Sequence, residues 1–246
     1  MSSEDAGAGA PAAKKKHLPI WQETLLLLAI ALVLAIVIKA LFVQAFYIPS
    51  ESMEPGLVKD DKILVQKPSY WFGDGPSRGD VVVFEDPGGW LPPEEAATTS
   101  GIPQLLSKIG LYPSGGHLVK RVIGVAGDTI VCCDDDGRIE VNGVALDEED
   151  YARPDEAGCY GPMPEGGACD WTAGPVPDGH VFVMGDNRNR SADSSFHLCE
   201  GATDCTDDPY VDVDGVVGKV FVLLWPRERF GFLHRPDTFE DVPDAS

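Results

Sequence analysis

Leu118-Val119-Lys120-Arg121-Val122-Ile123-Gly124-Val125 is the stretch from which the rest of the chain can be read. Rich in Val and Ile and followed by the Gly127-Asp128 turn, it is predicted to be a β-strand. Alternation puts Leu118, Lys120 and Val122 on one face and Val119, Arg121 and Ile123 on the other. Lys120 then has apolar neighbours on its own side, and Arg121 points away.

Runs of the same kind recur at 62–65, 80–84, 129–131, 138–141, 180–184 and 216–225, between clusters of Gly, Pro and Asp. They predict a mostly β fold with an antiparallel β-sheet domain over 46–246. Insertions are expected at about 85–116 and 132–179. The first is rich in Pro, Gly, Glu and Thr, with a helical turn expected at 104–109; the second, from 147 on, reads as an irregular subdomain stapled by cysteines.

Ahead of these strands, residues 24–43 are apolar except for Lys39, and twenty residues of helix span about 30 Å, the thickness of a bilayer core. A transmembrane helix is expected within 18–45, preceded by a disordered cytoplasmic tail at 1–17. Lys39 lies about one turn from the outer end, where its stem can snorkel. Lys14-Lys15-Lys16 before the span place the N-terminus inside and the β domain outside. A cleaved secretory signal is the rival reading, because Val43-Gln44-Ala45 resembles a cleavage site; the length of the run favours an anchor.

The formal net charge is −21, and the residues beyond the span carry nearly all of the acids. Such a surface excludes nucleic acid as an electrostatic partner and disfavours anionic headgroups. Six cysteines all fall outside the span, where disulfides form; Cys159 with Cys169 and Cys199 with Cys205 would close the shortest loops. No Cys-x-x-Cys pair supports a metal site, and no cofactor is implied.

The candidate chemistry is a serine and a lysine. Ser52 sits between Pro49 and Pro55, which stiffen its loop, and about seven residues separate it from Ala45, so it lies within about 23 Å of the end of the span. A serine hydroxyl needs a base, and lysine serves only if burial lowers its pKa by about three units, roughly 4 kcal/mol. Taken singly, Ser52 reads as a turn residue and Lys120 as a strand lysine. The five histidines join no nucleophile-elbow motif.

Four boxes in order are more specific. Phe46-Tyr47-Ile48-Pro49-Ser50-Glu51-Ser52-Met53-Glu54-Pro55, Arg78-Gly79-Asp80-Val81-Val82-Val83-Phe84, Val119-Lys120-Arg121-Val122-Ile123-Gly124 and Gly185-Asp186-Asn187-Arg188-Asn189-Arg190-Ser191-Ala192-Asp193-Ser194 resemble the bacterial type I signal peptidases. The resemblance implies a single-pass enzyme of the cytoplasmic membrane, with its catalytic domain outside. Its partners would be preprotein signal peptides, the lipid bilayer and the secretion translocon.

In that family's pattern Ser52 is the nucleophile and Lys120 the general base, while Ser50 and the Ser52 N–H form the oxyanion hole. Ser191 would hydrogen-bond Lys120, with Asp193, Asp186, Asn187 and Arg188 bracing the site. Phe46, Ile48, Met53, Leu57, Leu118 and Val119 are the candidates for shallow pockets that take small side chains one and three residues before the cut; each equally fits ordinary core. Gly56 departs from the family's usual threonine, Ala126 from its proline, and Ser195 from its basic residue, which puts in doubt a salt bridge from Asp193. A dedicated-substrate Ser-Lys peptidase and an inactive peptide-binding homologue remain as alternatives.

Overall fold

The computed structural model describes residues 19–71, 75–92, 116–154, 170–198 and 208–245, the side chains of 38–40 excepted. The expected tail, the basic cluster, the helical turn at 104–109, and Cys159, Cys169, Cys199 and Cys205 lie outside the described residues.

Helix α1 (Ile20–Phe42) holds 23 residues. Over Ile20–Val37 its mean hydropathy is 2.3 and none of it is buried. Leucine, isoleucine and valine face outward all round, a pattern that suits lipid rather than a protein core. At its start the Thr24 hydroxyl donates to the Ile20 carbonyl at 2.9 Å.

The body of the chain forms a unit of its own, Lys39–Ser246. Its strands are β1 (Val43–Tyr47), β2 (Lys62–Gln66), β3 (Val81–Glu85), β4 (His117–Val125), β5 (Ile130–Cys132), β6 (Ile139–Val141), β7 (Val144–Ala145), β8 (Trp171–Ala173), β9 (His180–Met184), β10 (Val211–Asp212), β11 (Val216–Trp225) and β12 (Gly231–Phe232). One sheet runs β1-β2-β11-β3-β4-β9-β10 with β12 beside β11, and a smaller one runs β7-β6-β5-β8. Every pairing between these strands is antiparallel. The expected mostly β fold is therefore observed, and one strand of the second sheet, β8, lies in the stretch expected to be irregular.

The span was expected to reach 45, but residues 43–45 belong to β1. There Val43 to Tyr47 alternate between buried and less buried positions and pair residue for residue with Gln66 to Lys62. Alternation with a ladder partner outweighs the apolar composition that the segment shares with α1.

Strand β4 divides the core. On one face Val119 packs with Val81, Val83 and Ile63 and with Phe46, Ile48, Met53 and Leu57. On the other, Leu118 and Val122 pack with Val82, Phe84, Val181, Val183 and Trp90. Farther along, Ile123, Phe182 and Met184 meet Ile130, Ile139, Val141 and Trp171 of the small sheet. Neighbouring Cys132 and Cys133 are joined by a disulfide at the end of β5.

Candidate active site

Three segments converge on Ser52. The turn after β1 carries it, β4 supplies Lys120, and the loop after β9 supplies Gly185 to Ser195. The Ser52 carbonyl accepts from the Asn187 N–H at 2.9 Å, and the Glu51 carbonyl accepts from Asn187 Nδ2 at 3.1 Å. The loop after β9 therefore grips the backbone on which Ser52 sits. Gly185 permits the closeness: a Cβ there would stand 2.5 Å from the Ser52 carbonyl oxygen and would strike the Ser191 hydroxyl. Steric room, not turn conformation, demands glycine at this position.

Ser52 and Lys120 are 5 % and 4 % exposed, and Lys120 Nζ lies 2.7 Å from Ser52 Oγ. Burial lowers the Lys120 pKa to about 8, against the opposing pull of the Asp193 and Asp186 carboxylates, which favour the charged form. A lysine so placed is neutral in a minor but useful fraction near neutral pH, and the neutral amine can take a proton from the adjoining hydroxyl. Ser50 Oγ lies 3.2 Å from Ser52 Oγ.

Asp193 organises the floor. Its carboxylate accepts from Ser195 Oγ at 2.5 Å, from Gly185 N–H at 2.8 Å and from Ser195 N–H at 3.2 Å, and it also accepts from Ser191 Oγ. The Ser191 hydroxyl thus donates to Asp193 and makes no hydrogen bond to Lys120, contrary to expectation, because a carboxylate two residues away is the stronger acceptor. Ser195, which replaces the family's basic residue, satisfies the carboxylate with a hydroxyl and a backbone N–H. The sequence signal for this role was its position two residues after Asp193.

Asp186 and Arg188 brace the loop through buried ion pairs. Arg121 forms a two-pronged pair with Asp186 at 2.8 and 2.7 Å and donates to the Gly79 carbonyl at 2.9 Å. Arg188 forms another with Glu148 at 2.9 and 2.7 Å, both side chains being fully buried, and donates to the Gly185 carbonyl at 2.9 Å. Tyr151 donates to Glu148 at 2.7 Å, and the Arg121 guanidinium lies 4.4 Å from the Tyr151 ring centre. Sequence reasoning missed Glu148 and Tyr151, since one acid among many carries no local signature.

A groove of about 170 Å³ opens beside Ser52 and Lys120 and is lined by Ile48, Ser50, Met53, Leu118 and Val119 among the expected residues. Phe46 and Leu57 stand behind it in the same core cluster as Ile48, Met53 and Val119, whereas Leu118 belongs to the opposite face. Four of the six expected pocket residues, Ile48, Met53, Leu118 and Val119, thus line the groove, Leu118 from the opposite face of the strand. Trp90, Leu91, His117, Arg190 and Ala192 also line the groove, and none of them was expected.

The family described as "Signal peptidase, peptidase S26" matches residues 21–225. The chain belongs to this family of serine endopeptidases, which remove signal peptides from exported preproteins. It is 37% identical over 237 residues to a probable signal peptidase I of Mycobacterium leprae, covering 88% of this chain and 80% of that one. To a signal peptidase I of Mycobacterium tuberculosis it is 38% identical over 231 residues, covering 85% and 74%. Another relative, a signal peptidase I of Leptolyngbya laminosa, is 32% identical over 212 residues, covering 86% and 83%. With α1 at its start, the protein is a membrane-anchored member.

Proposed function

We propose that Ser52 and Lys120 form the catalytic dyad with which this protein cuts signal peptides at the outer face of the cytoplasmic membrane, after small residues at −1 and −3. The observation that carries the reading is the 2.7 Å approach of a buried amine to a buried hydroxyl. Lys120 Nζ takes the Ser52 proton as Oγ attacks the scissile carbonyl, then returns it to the departing amine; water repeats the cycle to release the acyl group. The Ser52 N–H makes no hydrogen bond among the described residues, which leaves it available with Ser50 Oγ for the developing oxyanion.

Selection of small side chains follows from the narrow groove and the packed wall of Ile48, Met53 and Val119 behind it. Lys14-Lys15-Lys16 ahead of α1 support an inside N-terminus, where preproteins emerging from the translocon meet the domain outside. The test is to incubate full-length protein in detergent with a preprotein and sequence the new N-terminus, alongside Ser52→Ala and Lys120→Ala. Cleavage after a small residue, abolished in both variants, is expected; a preprotein left intact by the wild type would refute the reading.

A further inference from the structure

Trp90 and Leu91 fall in the stretch read from the sequence as a surface insertion, yet Trp90 is 6 % exposed and both residues line the groove beside Ser52. The Asp86 carboxylate folds the segment back by accepting the N–H groups of Gly88 and Trp90, each at 3.1 Å, and of Leu91 at 3.4 Å. The Trp90 indole stacks on His197, ring centres 4.6 Å apart and planes 12° from parallel, and meets Phe84 edge-on at 6.0 Å. A side chain clamped in this way is a preformed wall.

The sheet provides a place for a peptide beside that wall. Strand β3 pairs with β4 from His117 to Arg121, but β9 pairs with it only from Arg121 to Val125. Among the described residues, Leu118 to Lys120 therefore have a ladder partner on one side alone, and an extended peptide can add along that side. Its side chains would then alternate between the two faces of the sheet. On the cleavage reading above, those at −1 and −3 would face Val119, Ile48 and Met53, so the one at −2 would face Leu118, which shares a core cluster with Trp90 and Leu91.

We propose that Trp90 and Leu91, together with Leu118, form a binding subsite for an apolar side chain at −2 of the substrate. The inference rests on the cleavage reading above and adds a positive preference at a position between the two small-residue pockets. The part of Trp90 and Leu91 that lines the groove offers apolar contact, which an aliphatic or aromatic side chain would fill and a glycine would leave empty.

The experiment uses full-length protein in detergent and two sets of peptides, one varied only at −2 (Gly, Ala, Leu, Phe) and one only at −3 (Ala, Leu). For the wild type, kcat/KM is expected to rise about tenfold from Gly to Leu at −2, the low end of the discrimination that apolar pocket contact supplies. Trp90→Ala should shrink that ratio to about twofold or less, with Leu91→Ala intermediate and the −3 discrimination unchanged. Trp90→Leu, which keeps an apolar filler, serves if Trp90→Ala fails to fold, and should lose the Phe preference while keeping part of the Leu one. A flat wild-type response at −2, a uniform slowing of every peptide in the variants, or a change at −3 instead would overturn the subsite. A wild type that cuts no peptide at all would refute the peptidase reading itself.

Discussion

At the scale of single residues, the site depends on keeping one lysine neutral and one carboxylate satisfied. Burial brings the Lys120 pKa down to about 8, and only the neutral amine can accept the serine proton. Activity should therefore rise with pH through about 8, with about a tenth of the amine neutral at pH 7 and about nine tenths at pH 9. A kcat/KM profile on a soluble peptide checks this, and activity that falls as pH rises through that window would contradict it. Lys120→Arg should be inactive at every pH in that range, because guanidinium stays charged. Asp193 makes a different prediction. Ser195→Ala removes a 2.5 Å hydroxyl donor from a fully buried carboxylate. The loss should be about 1.5–3 kcal/mol of stability by urea denaturation, the usual value of a hydrogen bond to a charged group.

At the scale of elements, the loop after β9 matters more than any one of its side chains. It is tied to Ser52 through Asn187, to β4 through Asp186 and Arg121, and to the segment before Arg153 through Arg188 and Glu148. The last tie is the most exposed to mutation. Glu148→Gln removes the carboxylate that pairs with the fully buried Arg188 guanidinium, a loss of about 3–5 kcal/mol. Because the same loop grips the Ser52 backbone, activity should fall with stability, and urea midpoints measured beside kcat will show whether the two move together. A variant with unchanged midpoint and unchanged kcat would show that the pair is dispensable.

At the scale of the whole molecule, one end of the main sheet carries several exposed aromatic side chains. Tyr47, Lys62 and Trp225 are ladder neighbours across β1, β2 and β11, and Phe232 of β12 lies opposite Val222. Tyr47 is 49 %, Trp225 50 % and Phe232 63 % exposed. Aromatics grouped in this way suit a lipid interface, where one part of the ring is dry and the rest wet. With a net charge of −21, headgroup attraction cannot supply the contact, so neutral lipid should serve as well as anionic. Trp225→Ser with Phe232→Ser should slow cleavage of a preprotein reconstituted in neutral vesicles several-fold. Cleavage of a soluble peptide in detergent should be unchanged; equal loss on both substrates would assign the patch a structural role instead.

Much was determined by sequence alone, because its physical signals are local. Apolar length marked α1, and runs of Val and Ile marked the longer strands, since pleat alternation and bilayer thickness act on neighbouring residues. Ser52 and Lys120 were legible as a pair because four boxes kept their order, although no local rule joins positions 68 residues apart. Short strands such as β8 and β12 were not legible, for two or three residues carry too little periodicity to stand out. Long-range packing set the depth to which Lys120 is buried, the turn of Ser191 toward Asp193, the pairing of Glu148 with Arg188 and the placement of Trp90 beside the groove. Each of these depends on atoms brought together from distant parts of the chain, where desolvation and hydrogen-bond competition are set by packing and not by neighbours in sequence.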